Sequence, residues 1–335
     1  MVLLIREGFE ALFSDVRTIR EHLATFAVEH AETPMIGRTH HVHATPITFG
    51  LKAATWVDEI DSHVERLKSL EERLFVVQFF GATGTLASLG EDGLAVQAAL
   101  ADDLDLSVPE TPWFAARDRF AELLQVLAVV SKTLSKIARQ ILLLNRSEIG
   151  ELGEPIPAGE VGSSTMPHKQ NPMRSETIIA LATLVSVHAG VMTDLMEGYD
   201  ERDYATWLVE FAILPETFLY ASRITANAVT VLGNLDVNEE SMAENPLLNG
   251  ELVTSEAVMM RLGADVGRAS AHEIVYENAM AAIEGEETFS AVLCPDKRVT
   301  AHLSDDEIDR FTAPESYIGV SSRIIDSLLS SDDEV

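Results

Sequence analysis

Apolar residues recur three and four positions apart over long stretches of this chain, the spacing of a helix with one buried face. No Gly or Pro interrupts residues 114–149, and Leu123, Leu124, Leu127, Val130, Leu134, Ile137 and Ile141 mark one stripe. A helix of that span is roughly 50 Å long at the α-helical rise. Residues 51–80 repeat the pattern, with Pro46 ahead of them and Gly81 just beyond. Residues 173–198 and 216–232 follow it too, whereas alternating strand patterns with hairpin turns are absent. The pattern predicts an all-α protein, with a bundle of very long helices over residues 1–244. After Asn245 the helical stretches shorten to 264–282, 304–311 and 319–329. They predict a small C-terminal helical domain, residues 245–335, with a frayed tail.

Residues 178–191, IIALATLVSVHAGV, offer almost no polar face. A helix apolar all round must be buried on all sides, so a helix shared between subunits is expected. Composition agrees with a folded protein: 47 % of residues are hydrophobic and 23 % charged. No run of about twenty apolar residues stands out, so no membrane-spanning helix is expected. The opening MVLLIREGFE turns charged too soon for a signal peptide. Cytoplasmic location is the simplest expectation. The single cysteine, Cys294, excludes an internal disulfide and a cysteine metal cluster.

The net charge is -30, and only 6 of the 24 basic residues are lysines: 52, 68, 132, 136, 169 and 297. The acid is spread along helices, as in DDEIDR, residues 305–310. That distribution resembles proteins adapted to high salt, where screening relieves self-repulsion. Nucleic acid is excluded as a partner, because no basic face is offered to phosphates.

The chemistry concentrates in GSSTMPHKQNP, residues 162–172, inside a Gly-, Ser- and Pro-rich loop that begins at Glu154. Serine acts as a base only where its alkoxide is stabilised, by backbone N–H groups and a nearby lysine in a water-poor site. The same lysine and asparagine can hold a carboxylate. Such a loop is suited to closing over a substrate.

This segment resembles the signature of the fumarase/aspartase superfamily, whose members add or eliminate a group across a carbon–carbon bond beside a carboxylate. GRTHHVHATPITFG, residues 37–50, resembles the family's Thr-His segment, and ERDYATWLVEFAILPE, residues 201–216, the segment after its loop. All three stand in family order, and the resemblance covers nearly the whole chain. It implies a homotetramer with a common helical core, each active site drawing on several subunits. By motif position it makes Ser163 the base, with Ser164 as rival and substrate contact. It gives Lys169 and Asn171 the substrate carboxylate and its enediolate-like charge, and His40 an acid–base role beside Thr39. It gives Arg202 a substrate carboxylate. His41 and His43 rival His40. As metal ligands the three histidines lack a completing carboxylate motif, so no metal is expected, and no organic cofactor is required. Arg117 and Asp118 match a further family segment, with Ala116 where glutamine is common. Family members begin with an extra N-terminal region that contributes to the site, and this chain is expected to lack it. GATGTLASLG, residues 81–90, has no Gly-Lys-Ser/Thr and reads as a connection between helices.

Two subgroups fit. Adenylosuccinate lyases carry two serines and an arginine after the ERD to hold a phosphate, where this chain has Trp207, Leu208 and Phe211. The 3-carboxy-cis,cis-muconate cycloisomerases show Trp-x-x-Glu there, which Trp207 and Glu210 resemble. Residues 110–120 and 315–329 resemble that group as well, while residues 39–46 resemble the adenylosuccinate lyases as closely. The expected activity is a cycloisomerase-like addition to a small polycarboxylate, with adenylosuccinate lyase as the alternative. An inactive helical assembly subunit is the alternative of another class.

Overall fold

The computed structural model describes residues 1–156, 166 and 169–330. In chain order it forms α1 (Val2–Glu29), β1 (Pro34–Thr39), β2 (Val42–Thr48), α2 (Phe49–Leu74), α3 (Gly93–Asp103) and α4 (Asp118–Leu144). There follow β3 (Leu152–Gly153), α5 (Met173–Asp194), α6 (Tyr204–Leu232), β4 (Asp236–Val237), α7 (Glu239–Glu244), α8 (Ser255–Val266) and α9 (Arg268–Gly285). The chain ends in α10 (Phe289–Leu293), α11 (Lys297–Thr300), α12 (Asp305–Thr312) and α13 (Ser321–Ser330). Helix dominates, in keeping with the all-α expectation.

Two compact units arise. One comprises Met1–His22, Asp58–Leu143 and Glu154–Leu235; the other Leu23–Val57, Leu144–Gly153 and Asp236–Val335. The C-terminal stretch therefore shares its unit with two earlier segments, which a linear division after residue 244 does not contain.

In the first unit α4, α5 and α6 pack together. Leu134, Ile137 and Ile141 of α4 meet Ile178 of α5 and Ala228, Val231 and Leu232 of α6 around one small void. At 29 residues, α6 is about 44 Å long. It starts at an N-cap, Asp203, whose carboxylate accepts from the Ala205 N–H at 2.9 Å and the Thr206 hydroxyl at 2.6 Å. Pro215 lies inside this helix. The sequence expectation started a helix at Glu216 because proline normally opens or breaks one; here burial on the flanking turns offsets the missing N–H. The other long spans shorten. The 114–149 stretch is helical only over Asp118–Leu144, and 51–80 ends at Leu74. Beyond Leu74 the backbone turns extended and exchanges hydrogen bonds with Ser107.

Between α4 and α6 lies a fully buried ion pair. Arg117 donates Nε to Glu210 Oε2 at 2.8 Å and Nη2 to Oε1 at 2.6 Å, and both side chains are 3 % exposed. The guanidinium also bonds the Phe114 carbonyl at 3.2 Å and packs on the Trp113 and Phe120 rings.

Within one chain α5 is buried on one side only. Ile178, Ala182, Val185, Ala189 and Met192 are buried, but Leu184 and Val187 are 43 % and 57 % exposed. The segment Met173–Glu197 is also long and apolar enough to cross a membrane by composition, contrary to the first reading of the sequence.

The second unit is built around α8, α9 and α12. Val258, Leu262, Ala271, Phe289, Leu293, Val299 and Ile308 form its core. Gly267, at φ 85°, separates α8 from α9, so the continuous helix expected over 264–282 is two. Such a φ is open to glycine and strained for other residues.

Breaking the Arg117–Glu210 pair on one side leaves a buried charge, which typically costs about 3–5 kcal/mol, whereas replacing both partners by apolar residues is far milder. Urea unfolding of Glu210→Met, Arg117→Met and the double variant should show the double more stable than the first single. A strictly additive cycle would show that the two charges do not depend on each other.

Candidate active site

In the second unit β1 and β2 form an antiparallel hairpin, with Arg38 opposite His43 and Thr39 opposite Val42. This corrects the expectation that hairpins are absent. Two features hid it. The register shifts between Ile36 and Arg38, which spoils the two-residue alternation. The turn residues are His40 at φ 52° and His41 at φ 66°, where a tight hairpin normally places Asn-Gly. Gly37 fits at the shift because a Cβ there would lie 2.7 Å from the Thr45 carbonyl oxygen. Non-glycine residues at positive φ cost energy and persist only where their surroundings hold them. The result is that Thr39, His40 and His41 are all presented at the exposed tip.

A clamp behind the tip supplies the hold. Arg38 donates Nη1 to Glu151 Oε2 at 2.9 Å and Nη2 to Oε1 at 2.7 Å. Glu151 is fully buried and also accepts from Asn245 Nδ2 at 2.7 Å. Its backbone is held as well, to Leu144 and Asn238. Burial, then the Arg38 charge, pushes the His43 imidazole pKa below its usual value, with Glu151 opposing. The same causes lower the Lys52 ammonium. Nothing in the sequence period pointed to Glu151 or Asn245; the sole hint was a carboxylate set between Ile149 and Leu152.

In the first unit the loop region is anchored at its base. Glu154 accepts from the Arg174 N–H at 2.8 Å and the Ser175 N–H at 2.9 Å, capping the N-terminus of α5. Ser163 and Ser164 lie outside the described residues. Lys169 is exposed, and its N–H donates to the Met166 carbonyl at 3.0 Å. Asn171 is half-buried and its carbonyl accepts from the Met173 N–H at 2.9 Å.

Arg202 is exposed and donates Nη2 to the Gly81 carbonyl at 2.6 Å. Its guanidinium carbon stands 4.0 Å from the Phe114 ring centre and 5.7 Å from that of Trp207. No carboxylate pairs with it among the described residues. Asp203 is occupied as the α6 cap, and the Thr206 hydroxyl first, then backbone N–H groups, lower its pKa. Trp207 is half-buried, while Leu208 and Phe211 are 53 % and 50 % exposed. Thr39 and His40 thus belong to one unit, and Lys169, Asn171 and Arg202 to the other. Among the described residues no group of three His, Cys, Asp or Glu is placed to hold a metal ion.

Similarity to known proteins places the chain among the lyases. The profile of the lyase family matches residues 1–186, and that of the adenylosuccinate lyase C-terminus matches residues 251–328. The chain belongs to this family of fumarase/aspartase-type lyases, and its relatives are enzymes. It is 40 % identical over 330 residues to a 3-carboxy-cis,cis-muconate cycloisomerase of Pseudomonas aeruginosa, covering 98 % of this chain and 72 % of that protein. It is 38 % identical over 328 residues to an N-acetyl-S-(2-succino)cysteine lyase of Dickeya dadantii, again covering 98 % and 72 %. Among solved structures, the 3-carboxy-cis,cis-muconate lactonizing enzyme from Pseudomonas putida superposes with a TM-score of 0.94 at 35 % identity, over 99 % of this chain and 74 % of that one.

Glycine takes a left-handed φ without the roughly 1–2 kcal/mol that another residue incurs, against about 0.4–1 kcal/mol lost to a freer unfolded chain, so His41→Gly should raise stability by a net of about 0.5–1 kcal/mol. Paired urea melts of wild type and variant measure it. A loss of stability would mean that the His41 ring makes a contact worth more than the strain.

Proposed function

We propose that this enzyme is a cycloisomerase of the 3-carboxy-cis,cis-muconate type, adding a carboxylate oxygen across a conjugated carbon–carbon double bond. The observation that carries the reading is the face of α6 after Arg202. Trp207, Leu208 and Phe211 are apolar where a nucleotide-using lyase needs hydroxyls and a guanidinium. A phosphate dianion there would lose water and gain no charged partner from them. Glu210 is committed to Arg117 at 2.6 Å and 2.8 Å, so it does not turn that face acidic.

In this reaction a carboxylate oxygen forms a bond to one alkene carbon, the π electrons shift toward the carboxylate-bearing carbon, and that carbon takes a proton. It is a β-elimination in reverse. Ser163 handles the proton at carbon. Lys169 and Asn171 hold the carboxylate and stabilise the anion conjugated to it, the charge that exists only near the transition state. Thr39, Ser164 and Arg202 bind the remaining carboxylates, and His40 is the acid–base partner. The exposed placement of Thr39, His40, Lys169 and Arg202 supports their access to substrate.

The same reading makes the enzyme a cytoplasmic homotetramer. Leu184 and Val187 on α5 and Leu219 on α6 are 43 %, 57 % and 69 % exposed, an apolar surface that a second copy covers. The charge of -30 suits a salt-rich medium, in which screening removes repulsion within and between subunits.

Turnover of 3-carboxymuconate, adenylosuccinate and N-acetyl-S-(2-succino)cysteine at high salt decides the substrate. The first should give the highest kcat/KM; a preference for adenylosuccinate would mean that other residues hold a phosphate. With the best substrate, Ser163→Ala should lose about 10²–10⁴-fold in kcat while still binding. Near-normal turnover would move the base to Ser164. Sedimentation in high and low salt should give a tetramer in the former, and a compact monomer there would end the assembly proposal.

A further inference from the structure

The Trp207 indole carries a buried donor, Nε1, that no acceptor among the described residues meets. Trp113, by contrast, donates Nε1 to the Val77 carbonyl at 3.0 Å. Native folds seldom leave a buried N–H unpaired, and one that is so marks a place for a water, a ligand or a reacting group.

A second unused capacity lies beside it. The Arg202 guanidinium has five N–H donors; among the described residues its one hydrogen-bond acceptor is the Gly81 carbonyl at 2.6 Å. In a chain with 54 acidic residues, this cation has no carboxylate among the described ones. The acids nearest to it along α6 are engaged: Asp203 by Ala205 and Thr206, Glu210 by Arg117. What surrounds the guanidinium is aromatic, with Phe114 at 4.0 Å and Trp207 at 5.7 Å. Stacking fixes the plane of the guanidinium and so the direction of its remaining N–H groups. The Phe211 ring lies 6.4 Å from that of Trp207. Phe211 and Leu208 are half-exposed, so the side chains on this face meet solvent and not packed protein.

A preset cation and an orphan donor, both against aromatic surface, ask for a ligand with a flat anionic end and a flat apolar body. A carboxylate conjugated to carbon–carbon double bonds has that form. Its two oxygens accept from the guanidinium fork and the indole, and its π face lies on the rings. A phosphate group offers more charge than one guanidinium meets and no apolar face.

We propose that Trp207 Nε1 and Arg202 together bind one carboxylate of a planar unsaturated acid, and that Trp207 thereby selects such substrates over phosphate-bearing ones. This rests on the cycloisomerase reading and gives a residue to its substrate choice. Because the contact is made in ground and transition states alike, its loss raises KM more than it lowers kcat.

Trp207→Phe keeps an aromatic ring and removes the donor. KM for 3-carboxymuconate should rise about 10- to 100-fold, as for a lost hydrogen bond to a charged group, with kcat little changed. The wild-type enzyme gives a test that needs no turnover. The chain has 3 tryptophans, so an indole ¹H–¹⁵N spectrum carries three signals. Saturation with fumarate should move the Trp207 proton downfield and leave that of Trp113 in place. Fumarate binding to wild type and Trp207→Phe with equal affinity, or a Trp207 signal unmoved at saturation, overturns the proposal. A shifted Trp207 signal in an enzyme that does not turn over carboxymuconate sustains the subsite and rejects only the substrate. Normal carboxymuconate turnover with an unchanged KM in Trp207→Phe rejects the subsite and leaves the reaction standing.

Discussion

Among the described residues three glutamates are taken out of water, and two of them have a guanidinium in bidentate contact: Glu151 with Arg38 and Glu210 with Arg117; the third, Glu154, accepts from backbone N–H groups instead. A carboxylate that loses its hydration must recover the loss from charge and hydrogen bonds of fixed geometry. The requirement is directional, so it fixes position where apolar packing alone would tolerate sliding. Arg38 is next to Thr39, and its partner Glu151 is held in turn by Asn245. Glu210 is one turn past Trp207, and its partner Arg117 is braced by the Phe114 carbonyl. Each buried pair thus stands directly behind residues assigned to substrate. The chemistry at the surface has a rigid base because the charges beneath it have no alternative partner.

The long helices were legible because their buried faces recur at helical spacing, as in Leu134, Ile137 and Ile141 of α4. Their ends were less so. Pro215 misplaced the start of α6, because propensity is local and the packing that overrides it is not. α1 carries a comparable stripe, Ile5, Phe9, Leu12, Val16 and Ile19, all buried, which the sequence expectation does not single out. The β-hairpin was invisible for a physical reason. Its register shift removes the alternation and its turn is made by histidines, so both of the usual local signals are missing.

The candidate site divides in the same way. Residue types in a fixed order, Gly162 to Pro172 and Thr39-His40, identify a chemistry without any knowledge of the fold. The residues behind them do not advertise themselves. Glu151, Asn245 and Glu154 are polar residues of ordinary type in ordinary surroundings along the chain, and their function is set by partners many positions away. Arg202 was legible as a cation in a family segment, but its setting among Phe114, Trp207 and the Gly81 carbonyl depends on the tertiary fold.

The Glu154 carboxylate bonds the backbone N–H groups of Arg174 and Ser175 at 2.8 Å and 2.9 Å. The first residue of the signature region is therefore fastened to the first turn of the helix that follows it, a hydrogen-bonded staple between positions 20 and 21 residues apart.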